Sequence, residues 1–315
     1  MRKNKATLFL CLSVLLVIIS YCAYEMVNQG KEEYYTVSVI VNDSNNERWN
    51  AFREGLEQGA EDNNIYLNLV STGKFQNAEE ENTIVRRELE GEAQGIIVEP
   101  YSSEENEISY DTLSKPAVLV LSGMESENLY TTVMTDHEKI GQTFADTVKE
   151  NKDKRIGIFS GNQRQQGMRQ RLKALKEALA DTDVEIVWVI SAQELERKMK
   201  NPRFLQNVPV DAIVSLENDQ TEKAVELLKD NNTISCHLYG EGRSEKTLYY
   251  LDKGIIQKLL VPNEYFMGYE SMAVLAQNIK YHAEKTEQVE VDVLEVTKKN
   301  LYDEDTSRIL FSTVR

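Results

Sequence analysis

The chain has 315 residues, 41% of them apolar and 8% aromatic, and a formal net charge of −16 from 52 acidic against 36 basic residues. That apolar and aromatic content speaks against wholesale disorder, and the length suits about two domains. The negative charge speaks against a nucleic-acid partner, whose phosphate backbone would be repelled rather than neutralised.

Residues 1–5, MRKNK, form a basic flank ahead of an uncharged run at 6–24, ATLFLCLSVLLVIISYCAY. A helix of that length, rising about 1.5 Å per residue, spans a hydrocarbon core of roughly 30 Å. The basic flank keeps the N-terminus cytoplasmic and puts residues 30–315 on the extracytoplasmic side. Three fates stay open: an uncleaved anchor, a lipoprotein through Cys22, and a cleaved signal peptide. The run is longer than a signal-peptide core, YCA is a poor cleavage site, and Tyr21 is bulky for the position before a lipobox cysteine. The expectation is a single transmembrane helix in the cell membrane, followed by a polar spacer at 25–33. Cys11 and Cys22 fall in this segment, so Cys236 is the only thiol of the exported part and no internal disulfide can form.

From Tyr34 onward short β-branched runs alternate with amphipathic segments. YTVSVIV, IYLNLV, GIIVEP, AVLVL, RIGIFS, VEIVWVI, DAIVSL and TISCHLYG read as strands. WNAFREGLEQGAEDN, AEEENTIVRRELEG, IGQTFADTVKEN, QRLKALKEALAD and QTEKAVELLKDN read as the helices between them. Near-continuous apolar strands separated by helices predict an α/β protein with parallel sheets covered on both faces. The strand–helix series occurs twice, with a break near 130–140.

Ligands of such sheets bind beyond the carboxyl ends of the strands. The loops there read NDSNNERW (42–49), EPYSSE (99–104), LSGMESE (121–127), SGNQRQQGMR (160–169), LENDQ (216–220) and YGEGR (239–243). Amides, carboxylates and guanidinium groups pair with adjacent hydroxyls, and aromatic faces cover a sugar ring, so the set suits a polyol.

With these motifs in order, the chain resembles the type I periplasmic sugar-binding proteins, the ribose- and galactose-binding group related to lactose-repressor ligand domains. The resemblance runs from about Tyr34 to Arg315. SNNERWNAFREG fits the family's polar run and aromatics after the first strand, which implies ligand-facing Asn46, Arg48 and Trp49. TDHEKIG fits the first crossover and implicates Asp136, GNQRQQGMRQRLKAL supplies the ligand-gripping arginine as Arg169, and SLENDQ supplies the family's Asn-Asp as Asn218 and Asp219. YGEGR puts Glu241 where the family has Asp, and PNEYFMGY fits the last crossover with Pro262 in place of Gln. Arg48 replaces a family aromatic, and Ser122 and Gly123 replace an Asp-Arg pair. The implied architecture is two doubly wound parallel-sheet lobes, 34–135 plus 263–287 and 137–260 plus 289–315, joined by a three-strand hinge near Asp136, Val261 and Val289.

Each candidate also has a plainer role. Trp49 shares a helical face with Phe52 and Leu56, Asn218 and Asp136 can cap helices, and Glu99 and Tyr101 read as exposed loop residues. His137, His237 and His282 lack metal-ligand spacing, and no cofactor or metal is expected. No nucleophile elbow, His-Glu-x-x-His or phosphate loop occurs, so an enzyme acting on a small polar substrate in the cleft is only the alternative. The expected function is a membrane-anchored solute-binding protein that closes over a sugar or sugar-like ligand. Through the resemblance its membrane partner is a sensor histidine kinase or an ABC permease, and the short spacer favours the kinase.

Overall fold

The computed structural model describes residues 13–21, 34–104, 115–124, 131–199, 208–230, 235–281 and 288–311. Residues 1–35 and 36–315 form separate compact units. In the first, residues 13–21 are helical. The rest of the 6–24 segment, with Cys11 and Cys22, and the whole spacer at 25–33 lie outside the described residues, as does His282. Among the described residues no helix is long and apolar enough to cross a membrane.

In the second unit the described strands are, in chain order, β1 (Tyr35–Ile40), β2 (Ile65–Leu69), β3 (Gly95–Val98), β4 (Ala117–Val120), β5 (Thr131–Thr135) and β6 (Arg155–Phe159). They continue with β7 (Glu185–Ile190), β8 (Ala212–Ser215), β9 (His237–Glu241), β10 (Lys258–Pro262), β11 (Val289–Val291) and β12 (Val293–Val296). They make two sheets of matching order, β11-β5-β4-β3-β1-β2 and β12-β10-β9-β8-β6-β7. In the first sheet β3 runs parallel to β1 and β4, and β5 to β4 and β11. In the second, β6 to β10 are parallel and only β12 is antiparallel to its neighbour β10. The duplicated series in the sequence is therefore two α/β lobes.

Both faces of the second sheet are buried, which is why its strands carry no polar alternation. Ile213, Leu238 and Leu259 join a cluster with Phe159 and Leu195, while Val214, Tyr239 and Leu260 point the other way onto Phe144 and Leu175. Cys236 packs at the edge of the first of these clusters. Helix pairs close each lobe by direct backbone approach. A Cβ on Gly268, in the Glu264–Tyr281 helix, would stand 2.1 Å from the carbonyl oxygen of Phe52 in the Asn50–Asp62 helix. A Cβ on Gly141, in the His137–Glu150 helix, would stand 2.4 Å from the Arg171 carbonyl in the Gln166–Leu179 helix. The two motif glycines thus serve helix packing.

The chain passes between lobes at Asp136, Asn263 and Asp292, and the last two passages are tied by a hydrogen bond of 3.0 Å from Asn263 N to Asp292 O. The third passage differs from the expected one at Val289. Residues 289–291 complete the first sheet, with Val291 opposite Thr135, so the second-lobe strand begins at Val293 rather than at 289.

Glu81, in the Ala78–Glu90 helix, is fully buried. Its Oε2 accepts from Tyr101 N at 3.0 Å, and its Oε1 has no partner among the described residues. Burial, with a smaller push from Glu99, raises this carboxyl to about 8 against the one bond from Tyr101. A carboxyl raised in the fold favours folding below its unfolded pKa, and that contribution is lost as pH climbs through the folded value. Glu81→Gln keeps the acceptor and removes the charge. Its Tm should match the parent near pH 4.5 and exceed it by about 3 °C or more at pH 8, measured by calorimetry. A constant difference across that window would contradict the assignment.

Candidate functional site

Much of the polar run after β1 builds its own loop. Ser44 N donates to Thr72 Oγ1 at 3.1 Å and Thr72 N returns a bond to Ser44 Oγ at 2.9 Å. Asn42 Oδ1 accepts from Phe75 N at 2.8 Å. Asn46 caps the short 3-10 turn Glu47–Trp49 by accepting from Arg48 N at 3.0 Å.

That turn decides which side chain meets the cleft. Trp49, expected to offer a stacking face, is only 4% exposed: its Nε1 donates to Asn42 O at 3.0 Å and its ring packs on Phe52. The guanidinium of Arg48 lies 4.2 Å from the indole centroid. Arg48, not Trp49, therefore faces the cleft, and its Nη2 pairs with Glu99 Oε1 at 2.8 Å. Glu99 and Tyr101 are buried rather than exposed, because the loop after β3 is clamped by the opposite lobe. Asn162 Nδ2 donates to Tyr101 O and Gln165 Nε2 to Pro100 O, both at 2.9 Å, and Ser103 N donates to Arg164 O at 3.0 Å.

Second-lobe acids answer Arg48. Glu217 and Asp219 follow β8, and Glu241 ends β9. Burial works against the charge of Arg48, but Glu99, Asp219 and Glu217 outweigh it and hold its pKa above the ordinary value. Burial, then the neighbouring Asp219, pushes Glu217 up to about 7. Burial likewise pushes Glu264 up to about 7, against Arg243 and Arg48. Asn218 is buried and links two loops, its Oδ1 accepting from Arg243 N at 3.3 Å and its Nδ2 donating to Glu222 Oε1 at 3.3 Å.

Two cavities flank this centre. One of about 550 Å³ is lined by Arg48, Arg243, Tyr249, Glu264, Tyr302 and Phe311. The other, about 320 Å³, is lined by Phe75, Glu99, Tyr101, Gln165, Glu217 and Asp219. Both lobes contribute to each, and both volumes fall in the small-ligand range of roughly 300–1,000 Å³.

Two expected site residues do other work. Asp136 caps the His137–Glu150 helix, accepting from Lys139 N at 2.9 Å, and lines neither cavity. Arg169 donates to the carbonyls of Gln163 and Arg164 at 3.1 and 2.8 Å and lies 3.3 Å from Glu104. It steadies the loop after β6 and lines neither cavity. The arginine that reaches the interior is Arg171, two residues on and fully buried. It pairs with Glu241, donates from Nη1 to Leu216 O at 2.7 Å, and donates from Nε to His137 Nδ1 at 2.9 Å. His137 is held far below the usual imidazole value, at about 3, by burial and by Arg171, so it stays neutral and its Nε2–H donates to Leu121 O at 2.7 Å. The helical spacing Met168, Arg171, Leu175 marks position 171 as core-facing, and that signal was readable.

A two-lobed α/β receptor with its polar groups at the strand ends of a closed cleft is the class this geometry defines. The chain matches the periplasmic binding protein domain family over residues 37–284 and belongs to that family. Its fold is that of sugar-binding periplasmic proteins. A carbohydrate-transporter solute-binding protein from Agrobacterium radiobacter, in complex with D-arabinose, is similar at 17% identity over 88% of this chain and 99% of that one, with a TM-score of 0.80. The Caulobacter myo-inositol binding protein, bound to myo-inositol, is similar at 18% identity over 89% and 97%, with a TM-score of 0.76. The XylFII–LytSN complex contains a similar chain at 18% identity over 85% and 99%, with a TM-score of 0.73. No curated protein matches in sequence. The family and these structures are of solute-binding proteins rather than enzymes.

The Arg171–Glu241 pair carries a stability prediction. Removing one partner of a buried pair leaves the other charge uncompensated, at about 3–5 kcal/mol. Arg171→Met should lower the unfolding free energy by that amount, read as a fall in the denaturant midpoint, and Arg171→Met with Glu241→Gln should recover part of it. Equal midpoints for parent and Arg171→Met would remove the pair from the framework.

Proposed function

We propose that the protein is an extracytoplasmic receptor, held to the cell membrane by residues 6–24, that closes its lobes over a sugar or sugar-like polyol. The observation that carries this reading is the interlobe centre itself. Arg48 and Glu99 from one lobe face Glu217, Asp219 and Glu241 from the other, and Asn218 ties the second-lobe loops behind them. Carboxylates, amides and a guanidinium in one buried cleft are the groups that hold vicinal hydroxyls. Asn46, Trp49, Asp136 and Arg169 support the loops and the hinge around that centre. The similar structures with D-arabinose and myo-inositol favour the same ligand chemistry.

The anchor favours reporting over delivery. A polar spacer of nine residues at 25–33 keeps the cleft within a few tens of ångströms of the bilayer, since extended chain covers at most ~3.5 Å per residue. A receptor so placed offers its open or closed state to a neighbouring membrane protein, a sensor histidine kinase ahead of an ABC permease. The XylFII–LytSN complex and the transporter solute-binding proteins among the similar structures are compatible with either partner.

A ligand at a hundredfold excess over its dissociation constant stabilises the fold by about 2.7 kcal/mol. A thermal-shift panel of pentoses, hexoses, inositols and sugar acids on the detergent-solubilised full chain should therefore raise Tm by a few degrees for a stereochemical subset. Glu99→Gln should blunt that response. A panel with no shift, or a Glu99→Gln protein that keeps the full shift, would overturn the assignment.

A further inference from the structure

Five carboxylates converge on the cleft, those of Glu99, Glu217, Asp219, Glu241 and Glu264, and the buried cations satisfy only part of them. Arg48 is engaged with Glu99 at 2.8 Å, and Arg171 with Glu241. Arg243 faces Glu264, but its Nη2 is spent on the carbonyls of Ile309 and Leu310, at 2.8 and 3.4 Å, and its buried Nη1 has no partner among the described residues, so it reaches no carboxylate. The carboxylates of Glu217, Asp219 and Glu264 have no hydrogen-bond or ion-pair partner among the described residues. Lys74 and Arg197 also line the smaller cavity, but both are exposed, so water and salt screen them. Lys223 is engaged with Glu196 at 3.1 Å.

A second feature of the same cavity asks for the opposite kind of group. Gln220 is 1% exposed and lines the wall beside Glu217 and Asp219. Its Oε1 accepts from Gly161 N, while its Nε2 has no partner among the described residues. An unpaired buried amide nitrogen costs about 1–3 kcal/mol, which a ligand oxygen would recover. The wall opposite carries the buried rings of Phe75 and Tyr101, which suit an apolar C–H face. One small molecule that supplies an ammonium, a hydroxyl oxygen and a C–H face meets all three demands.

Resting on the sugar-receptor reading above, we infer that the cleft is selective for an amine-bearing polyol, of the amino-sugar type, whose ammonium sits against Glu217 and Asp219 while a hydroxyl oxygen accepts from Gln220. The elevated Glu217 carboxyl agrees with this. It faces Asp219, Glu99, Glu241 and Arg48, and a cation between the two acids would favour its ionised form, as a neutral sugar would not.

The test is isothermal titration calorimetry on the full chain at pH 7 with three matched sets, each a hexose, its 2-amino form and its N-acetylated form, in the gluco, galacto and manno series. At least one free amine should bind about tenfold more tightly than its hydroxyl and N-acetyl counterparts, a difference of about 1.4 kcal/mol. Glu217→Gln and Asp219→Asn should each shrink the ratio of amine to hexose affinity, and a cooperative thermal transition near the parent's certifies that each variant folds. Neutral hexoses binding as tightly as the amines would overturn the inference and leave the sugar-receptor reading standing. A preference unchanged in both variants would overturn the assigned acids. Binding of spermidine without binding of any sugar would overturn both readings.

Discussion

Whatever enters the cleft must come to terms with one cation, the Arg48 guanidinium, set among more carboxylates than it can neutralise. It pairs directly with Glu99 of its own lobe, and the field of Asp219 and Glu217 reaches it from the other. Two like charges about 4 Å apart cost about 4 kcal/mol at an effective dielectric near 20, more than a neutral hydrogen bond returns. The cleft acids can therefore gather only near a positive group or by taking up protons. Glu217 and Glu264, both lifted to about 7, show the second response. Arg48 supplies the first, and in doing so draws the lobes together.

That centre needs a stiff frame, and the frame is built from elements that touch no ligand. Arg171 ties Glu241 and Leu216 of the second sheet to His137 just past the first hinge passage, so the carboxylate at the end of β9 is fixed relative to the hinge. Backbone approach at Gly141 and Gly268 locks one helix pair in each lobe. Among the described residues the chain joins the lobes only at Asp136, Asn263 and Asp292, the few positions where a hinge closure of this class would act.

The sequence disclosed the fold more completely than the site. Strands buried on both faces and helices with clear apolar stripes left little choice about a doubly wound architecture. β5 and β11 are legible only through their pairing, being short strands at the first sheet's hinge end, and this is why the third passage was expected at Val289. At the site, the polar loops after β1 and β8 pointed to Arg48 and Asn218, which lie at the interlobe centre, and also to Asn46 and Trp49, which hold the loop. A turn of one residue exchanges a cleft-facing position for a buried one, so of the expected neighbours Arg48 and Trp49 only Arg48 faces the cleft. Arg169 is singled out by the resemblance, whereas Arg171, a charge on a core-facing stripe, is explained only by partners from distant segments, Glu241 and His137. Glu99 looked like a surface acid for the same reason: the loops that bury it come from the other half of the chain.

The most direct test of charge-driven closure is a distance measured across the cleft. Spin labels on two exposed positions, Glu61 in the first lobe and Glu177 in the second, in a background free of the native cysteines, report lobe separation by pulsed electron paramagnetic resonance. Without ligand, the parent should show a short, closed population, and Arg48→Ala should shift it to longer distances as the second-lobe acids lose the cation that draws them in. Superimposable distance distributions for the two proteins would contradict the account.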